Sequence, residues 1–298
     1  MKEVRQEIRK QIKSVRSNLS DSSITTYTSL LCSLFKIFKF ETYEDFIKNQ
    51  KEETVMEYIE GLKSESSKKT LLSILFILTG SPTFQQAMLG FIKTTNEKYH
   101  KSKVDIKRVD AYITPEQVLE RFHKSETALK SSPTADHYVE YFICSLMSGV
   151  KGYPIPRRLE WSMMKIRNYN KNTDNYLDSK GVFHFNVYKT AKTYGAQTVQ
   201  CPKDVLAWIK KWMKINSSDY LMTTKTGKSM SASQLSSKIG LVYGDKVIGQ
   251  DILRSIFITD LYSKVLPSQE ELIKIATAMG HSIQSQMFYR KIDIKTKD

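Results

Sequence analysis

The sequence predicts a mainly α-helical protein with a small antiparallel β-sheet (α+β), divided into two parts. Three observations lead to this reading. Apolar residues recur at steps of three and four through most of the first hundred residues. A period-two run at 182–188 is followed by a second short run, QTVQCP, which together mark a hairpin. Between Lys93 and Arg108 the chain becomes basic and loses apolar content after Tyr99. That stretch predicts a linker at 100–111 between an N-terminal helical domain, 1–99, and a second domain, 112–298.

Composition narrows the partners. The 298 residues suffice for two domains that each bury a core. Lys and Arg number 46 against 31 Asp and Glu, a net charge of +15 spread along the whole chain. A diffuse excess of this size points to a polyanion, since each phosphate neutralised releases condensed counterions. A membrane surface would attract the same charge. However, the chain has no apolar run of about 18 residues, and its N-terminus, MKEVRQEIRKQIK, lacks the apolar core of a signal peptide. An intracellular protein without a membrane partner is therefore expected. Cys32, Cys144 and Cys201 are scattered, with no CxxC pair, and read as packed, reduced thiols. The five histidines have no HExxH-type spacing, so neither a metal site nor a cofactor is expected.

In chain order, Val4, Ile8, Ile12, Val15 and Leu19 interleave with Arg5, Arg9, Lys10, Lys13 and Arg16, giving an amphipathic basic helix. It can lie on a nucleic acid, dock a neighbouring subunit or pack on its own domain. The Ser20–Ser23 cluster offers caps for a second helix that turns Ile24, Tyr27, Leu31, Leu34, Phe35 and Phe38 inward. Further helical patterns lie at about 43–49, 53–62, 67–79 and 83–99. The stretch SKKTLLSILFILTG is apolar on most of its circumference yet too short to span a bilayer, so it reads as the buried helix of a bundle.

The second domain opens with a capped helix at TPEQVLERF, and an apolar helix follows at Tyr138–Met147. In the run at 182–188, Phe183, Phe185 and Val187 alternate with His184, Asn186 and Tyr188 as a strand. Helices at about 203–214 and 232–240 come next, with Trp208 and Trp212 assigned to the core. Leu253, Phe257 and Leu261 form an inward stripe on a helix that carries Arg254 beside it. Another helix buries Leu272, Ile275, Ala276 and Met279 and stops at Gly280, so that His281 is fixed by a rigid element. Tyr289 lies eight residues beyond His281.

Arg254 in LRS, His281 in MGHS and Tyr289 resemble the C-terminal boxes of tyrosine recombinases, the phage-integrase family. Their wording is closest to integrases of large eukaryotic DNA viruses, virophages and polinton-like elements. The resemblance implies an N-terminal core-binding domain and a C-terminal catalytic domain that cleaves and rejoins DNA without metal or ATP. Arg254 matches the second family arginine, His281 the box histidine and Tyr289 the nucleophile. The first arginine falls in GYPIPRRLEWSMMKI: Arg157 has the family spacing to Glu160, and Arg158 fits the Pro-Pro-x-Arg form of viral members. The family also places a lysine on the hairpin turn, a position open to Lys189 and Lys192. Two departures stand out. Asp251 occupies a place usually held by His or Lys, and the gap from His281 to Tyr289 is one residue shorter than in phage members.

The chemistry explains the residue types. Charge on phosphate oxygens grows toward the transition state, and arginines supply forked, permanently charged donors. A tyrosine phenol, with an ordinary pKa of about 10, needs a base or a positive pocket to attack. Attack leaves a 3′-phosphotyrosyl link, and the departing 5′ oxygen takes a proton, in the family from the lysine. His281 would bond the phosphate or assist proton movement. Asp251 is expected to orient Arg254 or another basic residue, or to act as a base on Tyr289. The implied protein is a homotetramer on double-stranded DNA with specific sites, integrating a viral or mobile-element genome in a host nucleus or viral factory. The alternatives are a type IB topoisomerase-like enzyme and an inactive DNA-binding protein of the same fold.

Overall fold

A computed structural model of the chain describes residues 2–100, 112–157, 159–245, 247–264 and 267–291, apart from the side chains at 95, 96 and 98–100. The chain divides into two compact units, Met1–Lys101 and Ser102–Asp298. Residues 101–111 of the expected linker lie outside the described residues, and its first residue, His100, ends a helix.

The first unit is a bundle of α1 (Lys2–Val15), α2 (Asp21–Phe38), α3 (Tyr43–Asn49), α4 (Glu52–Gly61), α5 (Glu65–Thr79) and α6 (Pro82–His100). The apolar circumference of α5 explains its central place: it packs against α1, α2, α4 and α6 and buries Leu71, Leu72, Ile74 and Leu75. Ile8 and Ile12 of α1 are fully buried within this unit, while Val15 is exposed and the helix stops there, short of Leu19. The apolar stripe of α1 is thus consumed by its own bundle, leaving its basic face outward. Ser20 caps α2 by accepting a hydrogen bond from the Ser23 amide.

The second unit begins with α7 (Pro115–Ser131), whose start is a reciprocal capping box between Thr114 and Gln117. α8 (Ala135–Leu146) is buried along nearly its whole length. Two 3₁₀ turns follow, at Val150–Gly152 and Leu159–Met163. The sheet is built from β1 (Met164–Lys165), β2 (Asn175–Leu177), β3 (Val182–Phe185) and β4 (Gln197–Gln200), in that spatial order. The β2–β3 and β3–β4 pairs are antiparallel, with Phe183 opposite Val199 and Phe185 opposite Gln197, and β1 adds a short parallel pairing to β2. The remaining helices are α9 (Ala191–Tyr194), α10 (Lys203–Ile215), α11 (Ala232–Tyr243), α12 (Gln250–Lys264), α13 (Gln269–Ala278) and α14 (Ile283–Met287).

The hairpin lies where the alternation predicts it, but β3 ends at Phe185 rather than at 188. Asn175 is the reason. Its buried side chain accepts from the amides of Asn186 and Val187 and donates to the Val187 carbonyl, replacing a strand ladder. Val187 consequently faces solvent, Tyr188 turns inward, and residues 186–196 form a connection containing α9 instead of a tight turn. Behind the sheet, Trp161 meets the rings of Phe183 and Phe185 edge-on at 4.9 and 5.1 Å. Trp212 stacks on Tyr138 at 4.9 Å and donates its indole N–H to the Leu221 carbonyl. Trp208 is only partly buried, and all three cysteines are buried.

Gly149 seats α12 against the end of α8. Its φ is +79°, and an added Cβ would lie 2.5 Å from the Phe257 ring, whereas at Gly152, with φ +69°, it would meet nothing. Gly152→Ala should therefore cost only left-handed strain, about 1–2 kcal/mol. Gly149→Ala should add an overpacking cost of about 1–3 kcal/mol. Urea titration followed by tryptophan fluorescence reads this unit, because Trp161, Trp208 and Trp212 all belong to it. Equal costs for the two variants would mean that Phe257 does not anchor α12.

Candidate active site

The site forms around the C-terminal end of α13. Ser268 and Glu271 cap its start reciprocally. At its end Gly280 adopts φ +71°, which lets its amide bond the Thr277 carbonyl and lets the His281 amide reach back to Ala276. His281 is thereby the second residue past a closed helix end, held by its own backbone. Ala276 and Met279 are buried as their spacing predicts, while Leu272 and Ile275 are only partly so.

Four consecutive carbonyls of this turn each accept a side-chain hydrogen bond from elsewhere in the unit. Thr277 O takes Gln197 Nε2 at 2.8 Å, Ala278 O takes Arg157 Nη1 at 2.6 Å, Met279 O takes Arg254 Nη2 at 3.1 Å and Gly280 O takes Thr190 Oγ1 at 2.8 Å. The last carbonyls of a helix lack partners within it and carry the negative end of its dipole, so cationic donors are favoured there. Arg157 and Arg254, 97 positions apart by number (254 − 157), are thus brought onto neighbouring carbonyls.

Arg254 is fully buried rather than at the edge of a stripe. The first half of α12 is enclosed nearly all round, by Ile252, Leu253, Ser255, Ile256 and Ile258, while Phe257 and Leu261 are only partly buried. Such burial is tolerable because the guanidinium is hydrogen-bonded. Its Nη2 also lies 2.6 Å from His281 Nδ1. Arginine can only donate, so Nδ1 accepts, and the neutral imidazole then carries its proton on Nε2.

Tyr289 completes the cluster. After Ser282 caps α14, that five-residue helix folds the chain back, and the Tyr289 amide bonds the Gln286 carbonyl. The Tyr289 ring stacks on His281 with centroids 5.3 Å apart and an interplanar angle of 18°. The Arg254 guanidinium lies 4.4 Å from the centre of the same ring. Thr259 of α12 accepts from the Lys291 amide and contacts the Tyr289 carbonyl at 3.5 Å, holding this segment from below. The shortened gap after His281 therefore still delivers Tyr289 to Arg254.

Arg157 is 2% exposed, with its guanidinium carbon 4.2 Å from the Phe185 ring centre and 5.0 Å from that of Tyr188. Burial pulls its pKa below the ordinary value, while Glu160 and Tyr188 oppose the shift. Arg158, the other candidate for the first arginine, lies outside the described residues. Lys189 and Lys192 are both exposed on the β3–β4 connection. Lys189 lines a cleft of about 450 Å³ together with Glu160, Tyr188, Tyr220 and Met230, and its neighbour Thr190 ties the connection to Gly280.

Asp251 does not join the cluster. It is exposed in the first turn of α12, and among the described residues no hydrogen bond or ion pair links it to Arg254 or Tyr289. Its place at the positive end of the helix dipole is a sufficient physical role. Conversely, Gln197, Thr190 and Thr259 hold the cluster together although nothing in their types or spacing singles them out. Of the aromatic residues against Arg157, only Phe185 carried a signal of burial in the alternating run; Tyr188 stood on its opposite face.

No protein-family model and no curated protein sequence matches the chain. Solved structures do match its fold. A crystal structure of lambda integrase, residues 75–356, in a dimer bound to a COC′ core site superposes with a TM-score of 0.57 at 14% identity, covering 97% of this chain and 95% of that one. A lambda integrase tetramer bound to a Holliday junction gives a TM-score of 0.50 at 13% identity, covering 98% and 78%. XerA recombinase gives a TM-score of 0.42 at 13% identity, covering 98% and 94%. At these identities the likeness is one of fold: over nearly its whole length this mainly α-helical chain, with its small sheet, has the fold of lambda integrase.

Proposed function

We propose that the protein is a site-specific DNA recombinase that cuts and rejoins strands through a 3′-phosphotyrosyl intermediate on Tyr289. The observation that carries this reading is the convergence of Arg157, Arg254, His281 and Tyr289 on one helix end. Tyr289 Oη bonds to the scissile phosphorus as the P–O5′ bond breaks, and the phenol proton passes to solvent. Arg157 and Arg254 take the non-bridging oxygens, with Arg158 the alternative to Arg157. His281 donates from Nε2 to the same phosphate. Lys189 or Lys192 protonates the leaving 5′ oxygen. Charge stabilisation comes from guanidinium groups, so the step calls for neither metal nor ATP. Religation reverses it on a new 5′ hydroxyl.

The net charge of +15 supports a DNA partner, as do the DNA-bound lambda integrase structures that share the fold. A homotetramer acting on two duplexes fits the same comparison. The first unit is proposed to grip DNA as a core-binding domain. The wording of the boxes around Arg254 and His281 supports integration of a viral or mobile-element genome, in a host nucleus or viral factory.

The test is a nicked suicide duplex carrying the element's ends, incubated in EDTA. Wild type should give a slow-migrating, protease-sensitive DNA adduct, and Tyr289→Phe none. An adduct with both proteins, or with neither despite intact DNA binding, would remove the proposal. Supercoil relaxation without site preference would instead indicate topoisomerase activity.

Arg254→Lys leaves one cation but cannot bond Met279 O, His281 and a phosphate in one plane. Single-turnover cleavage should fall about 100- to 1,000-fold with little change in DNA affinity. A 5′-bridging phosphorothiolate, whose thiolate leaves without a proton, identifies the general acid. Alanine at the true acid, Lys189 or Lys192, should slow cleavage of the ordinary substrate about 100-fold or more and spare the phosphorothiolate. If neither variant shows this contrast, the proton comes from elsewhere.

A further inference from the structure

Gln197 opens β4 and has no counterpart in the expected catalytic set. Its side-chain amide is spent at both ends: Oε1 accepts from Arg157 Nη1 at 2.5 Å and Nε2 donates to Thr277 O at 2.8 Å. Arg157 Nη1 also donates to Ala278 O, so both of its hydrogens are committed to the protein. The ring faces of Phe185 and Tyr188 fix the guanidinium plane. Arg157 Nε is buried and has no hydrogen-bond partner among the described residues. The donors left over are Nε–H and those of Nη2, which share one edge of the guanidinium and form a side-on fork matched to two oxygens of one phosphate.

We infer that Gln197 is a positioning residue: by clamping Nη1 between β4 and the end of α13, it turns the Nε–Nη2 edge of Arg157 toward the scissile phosphate. The inference rests on the recombinase reading above. Without Gln197, Nη1 keeps only Ala278 O, and the planar guanidinium can tilt within the plane that the two rings set. An unanchored fork presents one donor where two are needed, and small losses of alignment are costly in rate.

Gln197→Met conserves volume and removes both hydrogen bonds, and Gln197→Ala serves as a second variant. Each is assayed by single-turnover cleavage of the suicide duplex at saturating enzyme, with melting temperature and DNA dissociation constant measured in parallel. Cleavage should slow about 10- to 100-fold, with the melting temperature within about 2 °C of wild type and DNA affinity unchanged. The decisive readout is a methylphosphonate at the scissile position, which removes one non-bridging charge and with it the need for a fork. On that substrate the variants should come within about twofold of wild type, because their defect acts only through an arginine contact no longer required. A deficit equal on both substrates would mean that Gln197 is merely structural, and wild-type rates on both would mean that it is idle; either overturns the inference. Failure of wild type itself to form an adduct strikes the recombinase reading instead.

Discussion

The candidate site depends on one constraint, the need to satisfy the carbonyls at the end of α13. A helix end leaves its last acceptors unpaired within the helix, and here Thr277, Ala278, Met279 and Gly280 are each met by a side chain from a different part of the unit. The connection after β3, the start of β4, the segment before β1 and the middle of α12 all close on one turn. The energetic demand of a buried helix end thus becomes the device that gathers a dispersed set of residues.

Gly280 makes the arrangement possible. Its positive φ closes the helix on itself, which satisfies the amides of Gly280 and His281 internally, on Thr277 and Ala276, and leaves the carbonyls of 278–280 to point at other elements. A Cβ there would lie 3.3 Å from Thr190 Oγ1, against the side chain that bonds the Gly280 carbonyl. The next residue, His281, receives Arg254 on Nδ1 and the Tyr289 ring on its face. Backbone geometry, imidazole tautomer and phenol placement are consequently linked through one glycine.

Much of the fold was legible because it follows from periodicity and capping. The helices of the first unit could be read from apolar spacing, and the start of α7 from Thr114, Pro115 and Gln117. β1 and β2 escaped notice because strands of two and three residues show no alternation. The length of β3 was overestimated because Asn175, distant in sequence, captures the amides of Asn186 and Val187. Arg254, His281 and Tyr289 were legible through the order of their boxes. Gln197 and Thr190 were not, since a glutamine opening a strand and a threonine in a loop look the same whether or not a helix end lies across from them. Asp251 was singled out by its place three residues before Arg254, where the family usually has His or Lys; on the helix it stays exposed while Arg254 is enclosed.

The choice of partners for the buried arginines bears on their use. Arginine held by a carboxylate has its charge largely cancelled locally, whereas one held by carbonyls or an imidazole does not. Arg157 is held by Ala278 O and Gln197 Oε1 and lies against two aromatic faces, and Arg254 donates to Met279 O and His281 Nδ1. These acceptors are neutral, so the hydrogen bonds themselves cancel no guanidinium charge, while the Glu160 carboxylate favours the charged form of Arg157. Burial works against such charge, as the lowered pKa of Arg157 records. Under the recombinase reading proposed above, a phosphate between the two arginines would relieve that cost, and more so as charge builds on its oxygens.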